Sequence, residues 1–219
     1  MARVVSIEEG ASGVAKATTA EGSLFIFRTS YLEPACSCCG IDKRPVLSPG
    51  DEIDGELLSV LIAVMIAEHR AVYLLARAEQ FRRGLERKLV GKKLSGKALP
   101  GKALPTSAVS IALDRLESEG LLSDLRYAET WMRQRVRRHP EGPRSLAAAL
   151  AARGVSRDAS REAVAVFFEE SRRFGLLAGA AALLEPKLKD PSTLRPRLVE
   201  LGWRSSEISE YLLSGSSDA

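Results

Sequence analysis

A stretch of the sequence returns after 48 residues with the same pattern of prolines, leucines and glycines. The matched positions are Pro143, Leu146, Leu150, Gly154, Val155 and Val164, which fall in the same order on Pro191, Leu194, Leu198, Gly202, Trp203 and Leu212. In each copy a proline stands near a helix start, leucines one turn apart face a core, and a glycine follows the last turn. The pattern predicts a helix, a break and a second helix in each copy.

An earlier copy of the repeat is interrupted. Leu146 moved back by 61 positions reaches Leu85, whereas Val164 reaches Leu113 with a shift of 51. The difference of ten residues is the length of a perfect duplication of Gly-Lys-Ala-Leu-Pro at 96–105. Because two prolines and two glycines cannot sustain a helix, we expect a solvated loop insertion there, for which sequence drift without function is the plainer interpretation.

Each unit is also expected to open with a longer helix, at Leu57–Ala78, at Asp124–Arg138 and at about Glu169–Glu185. The predicted parts of the helical region are a first unit at 56–119, a second at 120–168, a third at 169–213 and a disordered tail at 214–219. A three-helix unit is too small to bury its apolar face alone. We therefore expect the units to pack end to end in an elongated, curved array.

The first 55 residues differ from the rest because β-branched and aromatic residues alternate there with turn formers. Candidate strands are Val4–Ile7, Gly13–Thr19 and Ser23–Arg28, with a tight reversal at Glu21-Gly22. A turn at Ser48–Asp51 precedes Asp54, whose carboxylate can accept a hydrogen bond at a helix start. The predicted fold class is mainly α, with tandem three-helix repeats after a small N-terminal antiparallel β domain at 1–55.

Hydropathy and length favour a cytoplasmic protein. Residues 1–20 contain Glu8 and Glu9 and lack the apolar segment of a secretory signal. The longest apolar stretch, Leu57–Ala67, is shorter than the roughly 20 residues that cross a hydrocarbon layer. We expect that stretch to be a buried helix, and the protein to be a monomer without a membrane partner.

None of the residue patterns points to catalysis or to a cofactor. Cys36, Cys38 and Cys39 crowd one predicted loop, but structural zinc takes four ligands and the usual Cys-x-x-Cys spacing is missing. His69 and His139 are far apart and unframed by other ligands. With neither a glycine-rich phosphate loop after a strand nor a nucleophile elbow, we predict no catalytic, cofactor or metal site.

The run Leu116–Ala128 reads Leu-Glu-Ser-Glu-Gly-Leu-Leu-Ser-Asp-Leu-Arg-Tyr-Ala. It resembles the Leu-x-x-x-Gly-Leu-x-x-Asp-x-Arg-Phe/Tyr-Ala signature of the RecX family, and Gly142-Pro143-Arg144 extends the match. The segments Ala152–Val155 and Glu200–Trp203 look like the cores of that family's second and third units, and Ala71–Leu89 looks like the first. The resemblance thus implies a chain of tandem three-helix units.

The resemblance also implies a function. RecX-like proteins are non-enzymatic negative regulators of the RecA recombinase in DNA repair and the SOS response. They lie in the helical groove of the filament that RecA forms on single-stranded DNA, and they limit its recombinase and coprotease activities. One departure concerns the first unit, where this chain has Arg82-Arg83-Gly84-Leu85 in place of the family's frequent Ser-x-x-Glu-Leu.

An arginine-rich segment is the candidate contact surface, since 133–161 holds eight arginines and only two acidic residues. The candidate contact residues are Arg133, Arg135, Arg137, Arg138, Arg144, Arg153 and Arg157. Guanidinium groups bind phosphates and carboxylates alike, so the segment suits DNA or an acidic protein groove. The alternatives are a merely solvated face and a direct, sequence-independent DNA-binding module. The repeat and the resemblance favour the RecA filament as partner, with single-stranded DNA as a second one.

Other conspicuous residues are expected to be structural. Ser123 or Asp124 is well placed to cap a helix. Tyr127 and Trp131 lie four residues apart and are expected to pack between units rather than to stack on bases. Trp203 aligns with an apolar position of the repeat, so we predict that it belongs to the core.

Overall fold

The computed structural model of the protein describes residues 2–10, 13–42, 48–90 and 103–215. The chain divides into two compact units, Met1–Ala78 with Gly84–Leu122, and Glu79–Arg83 with Ser123–Ala219. The described residues form ten α-helices and a four-stranded sheet near the N-terminus. The prediction of a mainly α fold with a small N-terminal antiparallel sheet is confirmed. The finer division into five parts stays a prediction, and residues 96–102 and 216–219 of the predicted insertion and tail lie outside the described residues.

The helices are, in chain order, α1 Leu32–Cys38, α2 Gly55–Leu75, α3 Arg82–Leu89, α4 Thr106–Ser118, α5 Asp124–Val136, α6 Pro143–Arg153, α7 Arg157–Phe167, α8 Glu170–Leu184, α9 Leu194–Glu200 and α10 Ser205–Gly215. The strands are β1 Ala2–Gly10, β2 Val14–Thr19, β3 Leu24–Arg28 and β4 Glu52–Ile53.

The sheet has the strand order β3-β2-β1-β4, and every pair of neighbours is antiparallel. Side chains alternate along β3, where Phe25 and Phe27 are buried and Leu24 and Ile26 are exposed. This alternation is typical of a sheet with one face on the core and one in solvent. The predicted reversal between β2 and β3 is present, with Gly22 at φ +76°.

The cysteine-rich segment is helical, so the prediction of a loop there is wrong. It forms α1, and Cys39 follows directly after the end of that helix. Pro34 lies in the first turn, where a missing backbone N–H costs nothing. Leu32 and Ala35 are buried on one side of α1 in the core of the first unit. This three-residue spacing of apolar side chains is the helical signal that the proline and the cysteines obscured.

Helix α2 is the central helix of the first unit. It begins as predicted, with Asp54 Oδ1 accepting hydrogen bonds from the backbone N–H groups of Glu56 at 2.6 Å and Leu57 at 3.4 Å. Its 21 residues exceed the apolar stretch on which the sequence prediction rested, and by length and composition alone it could cross a membrane. However, the residues Leu57, Leu61, Ala63, Val64, Ala67 and Ala71 are packed into the core. The packing therefore favours a core helix, as predicted.

A buried carboxylate joins three elements of the first unit. Glu68 of α2 is 6% exposed and accepts hydrogen bonds from Arg28 Nε, at 3.0 and 3.2 Å to its two carboxylate oxygens. Arg115 Nη1 of α4 donates to Glu68 Oε1 at 2.5 Å, and the Tyr31 hydroxyl donates to Oε2 at 3.0 Å. A charge removed from water needs partners of this kind, so the cluster ties the end of β3 to α2 and α4.

Burial and the neighbouring Glu68 carboxylate raise the pKa of Tyr31 to about 12, against the opposing effect of Arg115. Because the unfolded chain loses this proton near pH 10, the stabilising contribution of Tyr31 is present below pH 10 and is lost as the pH rises towards 12. We expect the wild-type free energy of unfolding to fall more steeply above about pH 10 than that of Tyr31→Phe. Urea unfolding at several alkaline pH values measures the slope. Tyr73→Phe, at a position 59% exposed, should behave as wild type, and equal slopes for all three proteins would contradict the assignment.

The repeat seen in the sequence recurs in the backbone of the second unit. Helices α7 and α10 begin 48 residues apart, as the shift predicts. Gly154 and Gly202 follow the preceding helices in left-handed conformations, at φ +99° and φ +92°. Trp203 is 2% exposed in the core of this unit, where its indole N–H donates to the carbonyl oxygen of Pro140 at 3.1 Å. The prediction that this tryptophan is structural is confirmed.

The two copies differ at the start of their first helix. In the later copy a 3-10 turn at Pro191–Thr193 precedes α9, which is seven residues long, whereas α6 has eleven. Pro196 therefore falls in the first turn of α9, where a proline is tolerated. In the earlier copy the predicted core positions Leu85 and Leu113 are buried. Leu104, inside the duplicated segment, is also buried at 2%, so that end of the segment is not the solvated loop that was expected.

Leu150→Ala tests the repeat core. Leu150 is fully buried in the second unit, so removing its side chain should lower the free energy of unfolding by about 2–5 kcal/mol. Both tryptophans lie in this unit, so fluorescence during urea unfolding reports on it. Leu212→Ala, at a position 41% exposed, is the matched control and should cost much less. Equal losses for the two variants would contradict the core assignment.

Candidate interface on helices α5 to α7

Two polar side chains of the signature segment, at the start of α5, have different roles. Ser123 caps α5, its hydroxyl accepting from the backbone N–H of Arg126 at 3.2 Å. Asp124 reaches further, since Oδ1 accepts from the N–H of Arg82 at 2.8 Å and Oδ2 from the N–H of Ser156 at 3.4 Å. Its carboxylate therefore sits at the starts of α3 and α7, where unpaired backbone N–H groups favour a negative charge. The cap was predicted from the sequence, whereas this bridge between helix starts was not.

The next signature residues hold the segment Glu79–Arg83 against α5. Arg126 Nε donates to Glu79 Oε1 at 2.6 Å. The ring centroid of Tyr127 lies 4.8 Å from that of Phe81, which is itself buried. Arg126 and Tyr127 thus make contacts inside the second compact unit, which agrees with the structural role predicted for Tyr127.

A close backbone contact positions the start of α6. The N–H of Gly142 donates to the carbonyl oxygen of Leu201 at 2.8 Å, and the N–H of Arg144 to that of Gly202 at 3.3 Å. A Cβ atom on Gly142 would lie 2.6 Å from the backbone nitrogen of Trp203, and one on Gly202 would lie 2.6 Å from that of Ser145. The extension of the signature at Gly142 thus marks a contact that only glycine allows.

Two of the candidate arginines are engaged with neighbouring side chains. Arg135 donates to both carboxylate oxygens of Glu141, at 2.9 and 2.8 Å, and its guanidinium lies 5.7 Å from the ring centroid of Trp131. The hydrogen bonds from Arg135 lower the pKa of Glu141, and those to Glu141 raise the pKa of Arg135. Arg153 lies 4.9 Å from the same tryptophan ring. This cluster fixes the α5–α6 connection and covers Trp131, which leaves that ring poorly placed to stack on a base.

Three other candidate arginines form an exposed basic end of α5. Arg133, Arg137 and Arg138 are exposed, and Arg133 makes only a long ion pair of 3.7 Å with Glu129. Arg133 and Arg137 are one turn apart, on the side of α5 away from the buried Met132. Positive charge at a helix C-terminus is favourable, so the placement costs little stability.

The remaining candidates, Arg144 and Arg157, are exposed at the starts of α6 and α7. Arg144 lines a groove of about 380 Å³ within the second unit. Three further arginines line the same groove, Arg161, Arg173 and Arg204. None of these three was among the predicted contact residues, although Arg161 lies in the arginine-rich segment. Arg173 and Arg204 are distant in the sequence and reach the groove only through the packing of α8 and α10.

The described residues contain no group of three or more histidine, cysteine or acidic side chains that could hold a metal ion. The chemistry that the arrangement offers there is binding of anionic groups by guanidinium side chains.

Residues 123–164 match the family model for the second three-helix domain of RecX. They comprise the cap at Ser123, α5, α6 and α7 as far as Val164. The resemblance to the RecX family is confirmed.

Two solved RecX structures share the fold over most of this chain. One, described as regulatory protein RecX, has a TM-score of 0.58 at 19% identity and covers 95% of this chain and 98% of its own. The other is RecX from Lactobacillus salivarius, with a TM-score of 0.53 at 16% identity, covering 70% of this chain and 96% of its own. At these identities the likeness establishes the fold. No curated protein matches the sequence.

Glu141→Gln tests the Arg135 pair. Because the pKa of Glu141 is lowered in the folded protein, its contribution to stability is present above its ordinary pKa of 4.5 and is lost as the pH falls below that value. The variant should be less stable than wild type near pH 7, and the difference should shrink at about pH 3. Urea unfolding at both pH values, followed by tryptophan fluorescence, measures it.

Glu200→Gln provides the control, because the Arg197–Glu200 pair is about 60% exposed on both sides and should contribute little. A difference between Glu141→Gln and wild type that is independent of pH would argue against the ion pair.

Proposed function

We propose that the protein is a non-enzymatic negative regulator of the RecA recombinase. It binds in the helical groove of the filament on single-stranded DNA and limits recombinase and coprotease activities in DNA repair and the SOS response. The observation that carries this proposal is the match of residues 123–164 to the second three-helix domain of RecX. We also propose that the protein is monomeric and cytoplasmic.

The exposed basic end of α5 supports an anionic binding surface on that domain. Arg133, Arg137 and Arg138 present guanidinium groups to solvent, and Arg144 and Arg157 do so at the starts of the next two helices. Several such contacts, each weak, suit attachment along a repeating filament. Arg135 and Arg153 belong to the same candidate set. Because Arg135 is held by Glu141 and the exposed Arg153 lies over Trp131, we assign both a positioning role.

The direct test is inhibition of RecA on single-stranded DNA. Adding the protein should slow ATP hydrolysis and strand exchange by preassembled filaments. Unchanged rates at a stoichiometric excess over RecA would reject the proposal.

The second candidate is a direct, sequence-independent DNA-binding module, which the same exposed arginines favour. Its affinity would come from phosphate neutralisation and would fall steeply with added salt. If DNA alone captures the protein and salt abolishes the binding, the second candidate gains. If RecA must be present for capture, the first one does.

The triple variant Arg133→Glu, Arg137→Glu, Arg144→Glu tests the contact surface. These side chains are exposed, so each change should alter stability by no more than about 0.5 kcal/mol. We expect inhibition of RecA ATP hydrolysis to need at least about tenfold more of the variant, because attractive contacts become repulsive ones. Half-inhibitory concentrations measured at one salt concentration give the comparison.

A matched control reverses three other exposed cations of the same compact unit, Lys187, Lys189 and Arg195. It changes the net charge equally and should inhibit like wild type. If both triple variants lose inhibition equally, only the net charge matters and the assigned surface is wrong.

A further inference from the structure

The groove lined by Arg144 has an apolar floor and a basic rim. The apolar part of its lining, which we call the floor, includes Ala147, Val164, Ala165 and the largely buried Phe168. Helices α6, α7, α8 and α10 all contribute to its walls. A volume of about 380 Å³ lies at the lower end of the range for small binding sites, and is enough for a few side chains rather than a whole domain surface.

The charge of the groove is strongly positive, since four arginines and one glutamate line it. Glu207 is 8% exposed, and its carboxylate already has partners in the wall of the groove. Its Oε2 accepts from the N–H of Arg204 at 3.0 Å, and its Oε1 lies 3.8 Å from Nε of Arg173. Arg173 also donates to the carbonyl oxygen of Phe168 from two nitrogens, both at 3.3 Å. Glu207 and Arg173 therefore belong to the wall of the groove. The other three lining arginines form what we call its rim.

The rim arginines are available to a ligand. Arg144, Arg161 and Arg204 are exposed, and none of their guanidinium groups forms an ion pair with another residue of the described chain. Helices α6 and α10 also begin at this groove, which adds the partial positive charge of two helix N-termini. The groove therefore favours a ligand that carries negative charge on either side of an apolar group.

A protein segment fits these requirements better than single-stranded DNA. Bases bind such grooves by stacking on exposed aromatic faces. Phe168, the aromatic side chain in this lining, is only 3% exposed, and its ring packs edge-on against Trp203 at a centroid distance of 5.5 Å. The floor offers aliphatic groups, which complement leucine or isoleucine. Carboxylates flanking such a residue match the bidentate geometry of guanidinium groups.

We propose that this groove binds an acidic, amphipathic segment of a partner protein. An aliphatic side chain of the segment lies on Val164 and Ala165, and its carboxylates bind Arg144, Arg161 and Arg204. Binding of such a segment would be a function separate from filament regulation, so it can be tested without recombinase.

The test is an NMR titration of the full-length, isotopically labelled protein with a peptide of about 16 residues that places leucines at helical spacing between glutamates. Saturable shifts of backbone signals around Ala147, Arg161 and Val164 are expected. In Arg161→Glu, Arg204→Glu the dissociation constant should rise at least about tenfold. The same peptide with every glutamate replaced by glutamine should bind similarly weakly.

The control variant Lys187→Glu, Lys189→Glu makes the same charge change at exposed positions outside the groove and should bind the peptide within about twofold of wild type. Shifts absent at millimolar peptide, or unaffected by the groove variant, would overturn the proposal. So would an oligothymidylate of about 20 nucleotides that binds the groove, and loses affinity in the groove variant, where the peptide does not.

Discussion

The arrangement of the second unit depends on the approach of two backbone segments at Gly142 and Gly202. No side-chain carbon fits at either glycine, and two hydrogen bonds from the start of α6 reach the turn between α9 and α10. The left-handed conformation of Gly202 ends α9 and sends Trp203 into the core. Because of this contact, Arg144 and Arg204, which are distant in the sequence, line one groove. The glycine of the signature extension is thus a packing requirement that also shapes the groove.

Some arginines of this chain stabilise the fold through ion pairs, and others are exposed to solvent. Arg28 and Arg115 surround the buried Glu68, and Arg135 is held by Glu141. Such paired guanidinium groups fix the elements that carry them and have little left to offer a partner. Net charge alone is therefore a poor guide to the proposed binding surface, for which we selected exposed arginines without a close carboxylate partner. At the C-terminal end of α5 these are Arg137 and Arg138, which follow the helix, with the weakly paired Arg133.

Local patterns in the sequence predicted the local structure well. The 48-residue shift predicted the starts of α7 and α10, and the polar residue before α2 predicted its cap, because both depend on neighbours within one or two turns. The interactions that the sequence did not reveal join distant residues. Asp124 binds the starts of two other helices, and Arg173 and Arg204 join the groove through packing of α8 and α10. A single sequence carries no signal for such contacts. Six of the seven arginines chosen from the sequence are therefore exposed, whereas three of the four arginines that line the groove were not chosen.

Binding in the filament groove can be observed by helical reconstruction, using electron cryomicroscopy of RecA filaments on single-stranded DNA with this protein added in excess. We expect continuous additional density within the filament groove, into which α5 and α6 fit with their exposed arginines towards RecA or DNA. Filaments identical to those of RecA alone, with the added protein found only on free DNA, would contradict it.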